Sequence, residues 1–209
     1  MVFATIIFAS AVFLHLTRKN TSAVRLYMVQ SSAIAALLIL SSFDRFSPLL
    51  IVAIVATVAV KIFIAPYFFY GLIRRHQLKF SVNTYLNTPV SLMVIAALLV
   101  LTRSDFFSAL AVLATSGDKM LRLAFATVLI SLFLAINRKG ALSQMIGILS
   151  LENGIVAFAL FAGLEQSPGL QLGITFNILI WVIIATVFAS MIFRKFGSLD
   201  VTAMKKLKG

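Results

Sequence analysis

The segment Ser150-Leu151-Glu152-Asn153-Gly154 stands in the middle of an apolar run covering about 142–163. A run of roughly 22 residues crosses a bilayer core, which takes ~20, and this places Glu152 near the midplane. An acid there costs roughly 2.5–3.5 kcal/mol on insertion scales. The apolar residues around it, among them Met145, Ile148, Leu151, Val156 and Phe161, return roughly 3–6 kcal/mol together. The run inserts, and the carboxyl must have a use or a partner. Burial favours the neutral form of a carboxyl and a nearby cation favours the charged form. A proton relay needs both forms within reach. The plainer reading is an acid fixed by one structural partner. Lys61 is a second group of this kind, near the centre of an apolar run over about 48–71. It is too deep to snorkel easily, so it must face a bundle interior or a partner subunit. Lys61 and Glu152 could pair directly or line one hydrated polar path, and spacing alone does not choose.

Weaker candidates extend such a path. His15 lies near the end of the first apolar run, as a proton-entry group or an interfacial histidine. Gln30 sits within the second run. Asn153 points about 100° from Glu152 on a helix and reads as interhelical glue, as does Asn177 near the chain's end. Ser143, Gly147, Ser150 and Gly154 are small enough for close helix contact. Trp181 and the phenylalanines read as packing and lipid-facing surface.

The elements that must hold these groups follow from composition. The chain has 209 residues, 61% hydrophobic and only 11% charged, against about 25% charged in soluble domains. It reads as an all-α, polytopic transmembrane bundle in a single membrane domain, 1–209. There is no cysteine, which removes disulfides, thiol nucleophiles and thiolate-held Fe–S clusters from this chain. His15 and His76 have no metal-ligand spacing, and no Gly-rich phosphate loop occurs. No catalytic centre, cofactor or metal site is expected here. The net charge of +12 does not point to nucleic acid, because the basic residues cluster between apolar runs, as in chains oriented in a bilayer.

Seven spans are predicted: about 2–17, 25–43, 48–71, 86–102, 120–137, 142–163 and 171–193. The first reads as a retained span, since no basic stretch precedes it. Thr17 to Ser22 makes a polar loop, and Asp44-Arg45-Phe46-Ser47-Pro48 a tight turn. Pro66 should kink the third span. Residues 105–117 are apolar but number only about 13, too few to cross, and read as a half-helix or re-entrant segment. With the N-terminus outside and the C-terminus cytoplasmic, thirteen Lys/Arg fall inside against Arg45, Arg103, Lys119 and Arg122 outside. That bias is the positive-inside pattern. An eighth span through 105–117 is the alternative and would collapse it. The chain divides into N-terminal helices, 1–117, a three-helix unit, 118–194, and a basic cytoplasmic tail, 195–209, expected to be flexible.

The stretch Gly147-Ile148-Leu149-Ser150-Leu151-Glu152-Asn153-Gly154-Ile155 resembles the signature of the hydrogenase-4 component E family. Its members are membrane subunits of formate hydrogenlyase-type and related group 4 [NiFe]-hydrogenases. The three-helix unit is similar to the K-type subunit of respiratory complex I and the C-type subunit of Mrp antiporters. The resemblance is loose over the whole chain and specific only around Glu152. It implies a non-catalytic membrane-arm subunit of a redox-driven proton or sodium pump in the cytoplasmic membrane of a prokaryote. Its implied partners are antiporter-like membrane subunits, a complex I-like membrane anchor and a hydrogenase or other redox module. NiFe and Fe–S centres would lie in those chains. Glu152 matches the middle-helix glutamate of the K-type unit. The second glutamate usual there is missing, since no acid occurs between Glu165 and Asp200. Lys61 could supply that polar step. Two other readings of the residues stand beside this one, a stand-alone secondary transporter and a purely structural linker.

Overall fold

The computed structural model describes residues 1–41, 47–80, 84–104, 117–164 and 167–202, and every regular element among them is a helix. In order these are α1 (Val2–Leu16), α2 (Asn20–Ser41), α3 (Pro48–Val58), a π-helical turn (Ala59–Ile64), α4 (Ala65–Arg75), α5 (Thr88–Arg103), α6 (Asp118–Asn137), α7 (Ala141–Phe161) and α8 (Pro168–Phe196). α3, the π turn and α4 form one continuous rod, so the described residues make seven rods. Five of them, α2, the Pro48–Arg75 rod, α6, α7 and α8, are long and apolar enough to cross a membrane. α1 and α5 are shorter apolar helices. Large side chains such as Met93, Val100, Phe176 and Phe188 lie exposed on the outer face, as lipid-facing or partner-facing surface requires.

The helix start at Ser47-Pro48 was legible in the chain. Ser47, Asn87 and Ser167 each accept a hydrogen bond from the backbone N–H of Leu50, Val90 and Leu170, with proline in the first turn. A short oxygen-bearing cap followed by proline satisfies or removes N–H groups that the helix leaves unpaired. Gly197, with φ 67, ends α8 in the left-handed conformation that favours glycine.

Some expectations need correction, and others fall outside the described residues. α2 begins at Asn20, not near 25, because the buried Asn20 side chain donates to the Leu78 and Phe80 carbonyls at 2.9 and 3.0 Å. Just upstream of Pro66 the rod carries the π turn, which the sequence reading did not foresee, and there the Ala65 N–H bonds the Val60 carbonyl. The wider turn accommodates a residue that lacks its N–H and crowds the preceding turn. The segment after α8 is not a loose tail as far as it is described. Leu199 is buried, its carbonyl accepts from Ala141 N–H at 3.0 Å, and Val201 N–H donates to Lys139 at 2.9 Å. Residues 203–209 lie outside the described residues, as do 42–46 of the predicted turn and 105–116 of the predicted re-entrant segment.

Hydrogen bonds gather four chain segments at one end of the bundle. Asn20 reaches 78–80, Tyr85 N–H donates to the Asn137 carbonyl, and 139–141 pair with 199–201. Arg138 is buried there. Its Nη2 lies 2.6, 3.0 and 2.9 Å from the carbonyls of Leu14, His15 and Thr17, at the C-terminal end of α1. Burial, with Arg18 adding repulsion, pulls the Arg138 pKa below the ordinary arginine value. At the opposite end Arg122 bonds both Asp118 oxygens and the Thr102 carbonyl at 3.1 Å. The end of α5 therefore lies beside the start of α6. The start of α5 likewise lies beside the end of α6, where Leu86 N–H donates to Asn137 Oδ1 at 2.8 Å, so the two helices run antiparallel.

α6 and α7 make the closest helix contact that small residues allow. A Cβ on Gly147 would fall 2.9 Å from Ala135 backbone atoms, and one on Gly154 would fall 3.1 Å from Val128 N. Between them the Ser131 and Ser150 hydroxyls are 2.8 Å apart. Gly147, Ser150 and Gly154 form one face at helical spacing. Glu152, two residues beyond Ser150, is turned about 200° away from α6.

Candidate functional site

The face of α7 opposite α6 meets the π turn, and there the two intramembrane charges come together. Lys61 is fully buried. Its Nζ lies 2.5 Å from Glu152 Oε2 and donates to Asn153 Oδ1 at 3.0 Å. The ammonium approaches the carboxylate off the hydrogen-bond direction, so the contact is an ion pair. Neither carboxylate oxygen receives a hydrogen bond among the described residues, although both are covered. The Glu152 side chain keeps 20% of its surface exposed. Its stem thus faces outward while its charge faces Lys61.

Asn153 is the hub of a larger polar layer. Its Nδ2 donates to Ser31 Oγ at 3.0 Å and to Gln30 Oε1 at 3.4 Å, and Gln30 Nε2 donates to the Ile7 carbonyl at 3.2 Å. Buried amides in this layer satisfy one another, which lowers the cost of removing them from water. Tyr27, one turn before Ser31, is fully buried. Its hydroxyl lies within range of Ser31 and the Glu152 charge, but its geometry falls short of a hydrogen bond. One turn before Lys61, Thr57 Oγ1 lies 2.9 Å from Thr175 Oγ1 and accepts from Gln171 Nε2 at 3.1 Å. Polar groups thus run through the bundle from α8, past the π turn and α7, to α2 and α1.

The structure sorts the predicted residues. Lys61, Glu152, Asn153 and Gln30 share this layer. His15 does not: it lies in the last turn of α1, at the end of the bundle that Arg138 closes. It is buried, its Nε2–H donates to the Ile130 carbonyl at 3.0 Å, and its ring stacks on Phe133 with centroids 5.0 Å apart. Asn177 is exposed on α8 and makes no hydrogen bond among the described residues. The α8 groups that do face inward are Gln171 and Thr175, which sequence reasoning missed. Their spacing of four was the available signal, shared with the pair Thr57 and Lys61. Glu165 lies outside the described residues. No group of three or more His, Asp or Glu able to hold a metal occurs among the described residues.

Fold and site together define a polytopic helical membrane protein with a buried lysine–glutamate pair at its centre. No family model matches the chain, and no solved structure matches it. An uncharacterized protein of Mycobacterium tuberculosis is 39% identical over 87 residues, which is 41% of this chain and 39% of that protein. The match thus spans about two fifths of that relative's length and carries no activity with it.

Proposed function

We propose that this chain is a non-catalytic membrane-arm subunit of a redox-driven proton or sodium pump of the group 4 hydrogenase or complex I-like kind. The observation that carries the reading is the buried Lys61 ammonium held between the Glu152 carboxylate and the Asn153 amide. In the proposed relay this trio alternates between two states. With Glu152 charged, Lys61 closes on it. With Glu152 protonated, the ammonium keeps the Asn153 carbonyl oxygen as its acceptor. The attraction between Lys61 and Glu152 then vanishes and returns with each proton that comes and goes. The Glu152 stem is exposed at the outer face, so rotation about the side-chain bonds would turn the covered oxygens toward a neighbouring subunit. The π turn supports the reading, since turns of this kind recur at functional sites. So does the resemblance of Gly147–Ile155 to the hydrogenase-4 component E signature.

In this reading the end that carries Arg18, Arg74, Arg138 and Arg194 is cytoplasmic, the N-terminus is outside, and the membrane is the cytoplasmic membrane of a prokaryote. Electron transfer, NiFe and Fe–S centres belong to partner subunits. The test is a mild-detergent pull-down of the chain from its native membrane, with partners identified by mass spectrometry. Antiporter-like subunits, a membrane anchor and a hydrogenase or other redox module are the expected recovery. Recovery alone, or only as copies of itself, would overturn the subunit reading and favour a stand-alone transporter.

A further inference from the structure

A second polar feature lies far from the ion pair, at the basic end of the bundle. α4 and α8 run in the same direction there, and each reads from apolar to cationic at the same spacing. Tyr67, Gly71 and Arg74 occupy positions i, i+4 and i+7 on α4, as do Val187, Met191 and Arg194 on α8. That spacing keeps each trio on one face. Together with Arg75 they line a groove of about 740 Å³ between the two helices. Tyr67, Val187 and Met191 are exposed along it, and a Cβ on Gly71 would meet nothing within 4 Å. The groove is therefore open where a bulkier residue would fill it.

At its cationic end no carboxylate among the described residues pairs with the arginines. The ion pairs among the described residues are Lys61–Glu152 and Arg122–Asp118, and neither is near this groove. Behind Ser190, one of the lining residues, stands His76. Its Nε2 lies 2.9 Å from Ser190 Oγ, and its ring centroid lies 4.4 Å from that of Phe193. Desolvation first, and then the Arg75 and Arg194 charges, hold the His76 pKa below the ordinary imidazole value.

We propose that this groove is a site for one anionic glycerophospholipid, with its phosphodiester among Arg74, Arg75 and Arg194 and its acyl chains along Tyr67, Val187 and Met191. Guanidinium groups recognise phosphate by paired, charge-assisted hydrogen bonds. Basic pockets between membrane helices take anionic headgroups for this reason. The apolar wall, which a free anion would not use, selects a lipid. The groove does not depend on the pump reading and would hold in a transporter equally.

The test uses the full chain, purified in detergent and delipidated, then titrated with phosphatidylglycerol or phosphatidylcholine of identical acyl chains and read by native mass spectrometry. One phosphatidylglycerol is expected to be retained at least about tenfold more tightly than phosphatidylcholine, in line with the charge-assisted bonds it alone leaves uncompensated. The triple variant R74Q/R75Q/R194Q should lose that preference. Gly71→Phe, which keeps all three charges and fills the groove, should lose retention altogether. If the triple variant does not accumulate, Gly71→Phe carries the test. Equal retention of the two lipids, unchanged retention in either variant, or displacement of phosphatidylglycerol by equimolar inorganic phosphate would overturn the proposal.

Discussion

Lys61→Met is expected to cost the purified chain about 3–5 kcal/mol of unfolding free energy, the range for breaking a buried ion pair by removing one partner. The loss exceeds that of a packing change, because methionine nearly conserves volume. What is lost is electrostatic. Both Glu152 oxygens are covered and have no hydrogen bond among the described residues. Without the ammonium, Glu152 must take a proton or draw in water, and Asn153 Oδ1 loses its donor. Glu152→Gln should be costly for the converse reason, since it leaves an ammonium in the bundle with neutral acceptors and no countercharge. The double variant K61M/E152Q should recover at least half of either loss, because no uncompensated charge remains. SDS titration in mixed micelles would measure all three. Strict additivity of the two single losses would show that the side chains do not act as a pair.

The second large effect is expected at Arg138. Arg138→Met removes the donor that serves the Leu14, His15 and Thr17 carbonyls. These are among the groups that a helix C-terminus leaves unpaired. Hydrogen bonds from a charged donor contribute about 1.5–3 kcal/mol each, and an orphaned buried acceptor costs about 1–3 kcal/mol. A loss of about 3–5 kcal/mol follows, since one nitrogen shared among three acceptors does not count three times over. Arg138→Lys keeps the charge that the negative end of the α1 dipole favours but loses the planar fork, and should fall between. No second substitution at the ion pair should rescue it. A loss under about 0.5 kcal/mol, typical of an exposed residue, would show that the α1 end is satisfied otherwise.

Much of the fold was legible because membrane insertion leaves strong signals. Long apolar runs, the Ser47-Pro48 helix start and clustered basic residues carried the seven rods, while the caps at Asn87 and Ser167 emerged only with the structure. Contacts that depend on three dimensions were not legible. Arg138 reads in sequence as one more basic loop residue, yet it is buried and ties the end of α6 to the end of α1. Asn20 reads as loop because its partners, Leu78 and Phe80, lie on a distant turn. At the site, Lys61 and Glu152 stood out by cost alone, since a charge in an apolar run must have a partner. Their meeting required the π turn, which Pro66 hints at but does not specify. Asn177 stood out as the most polar residue deep in the last span, yet it faces outward. Gln171, nearer the start of α8, and the modest Thr175 face inward with Thr57. Polarity alone does not say which way a helix residue points.

The central claim, that Glu152 passes protons in a redox-driven pump, is tested most directly by the protons moved per electron in native membrane vesicles. The comparison is wild type against Glu152→Gln and against K61M/E152Q, each normalised to assembled complex. The double variant keeps the fold without a titratable group at the site. The account predicts that both variants still pass electrons while the proton-to-electron ratio falls to background. A wild-type ratio in assembled complexes of either variant would contradict it and leave Glu152 with a structural role alone.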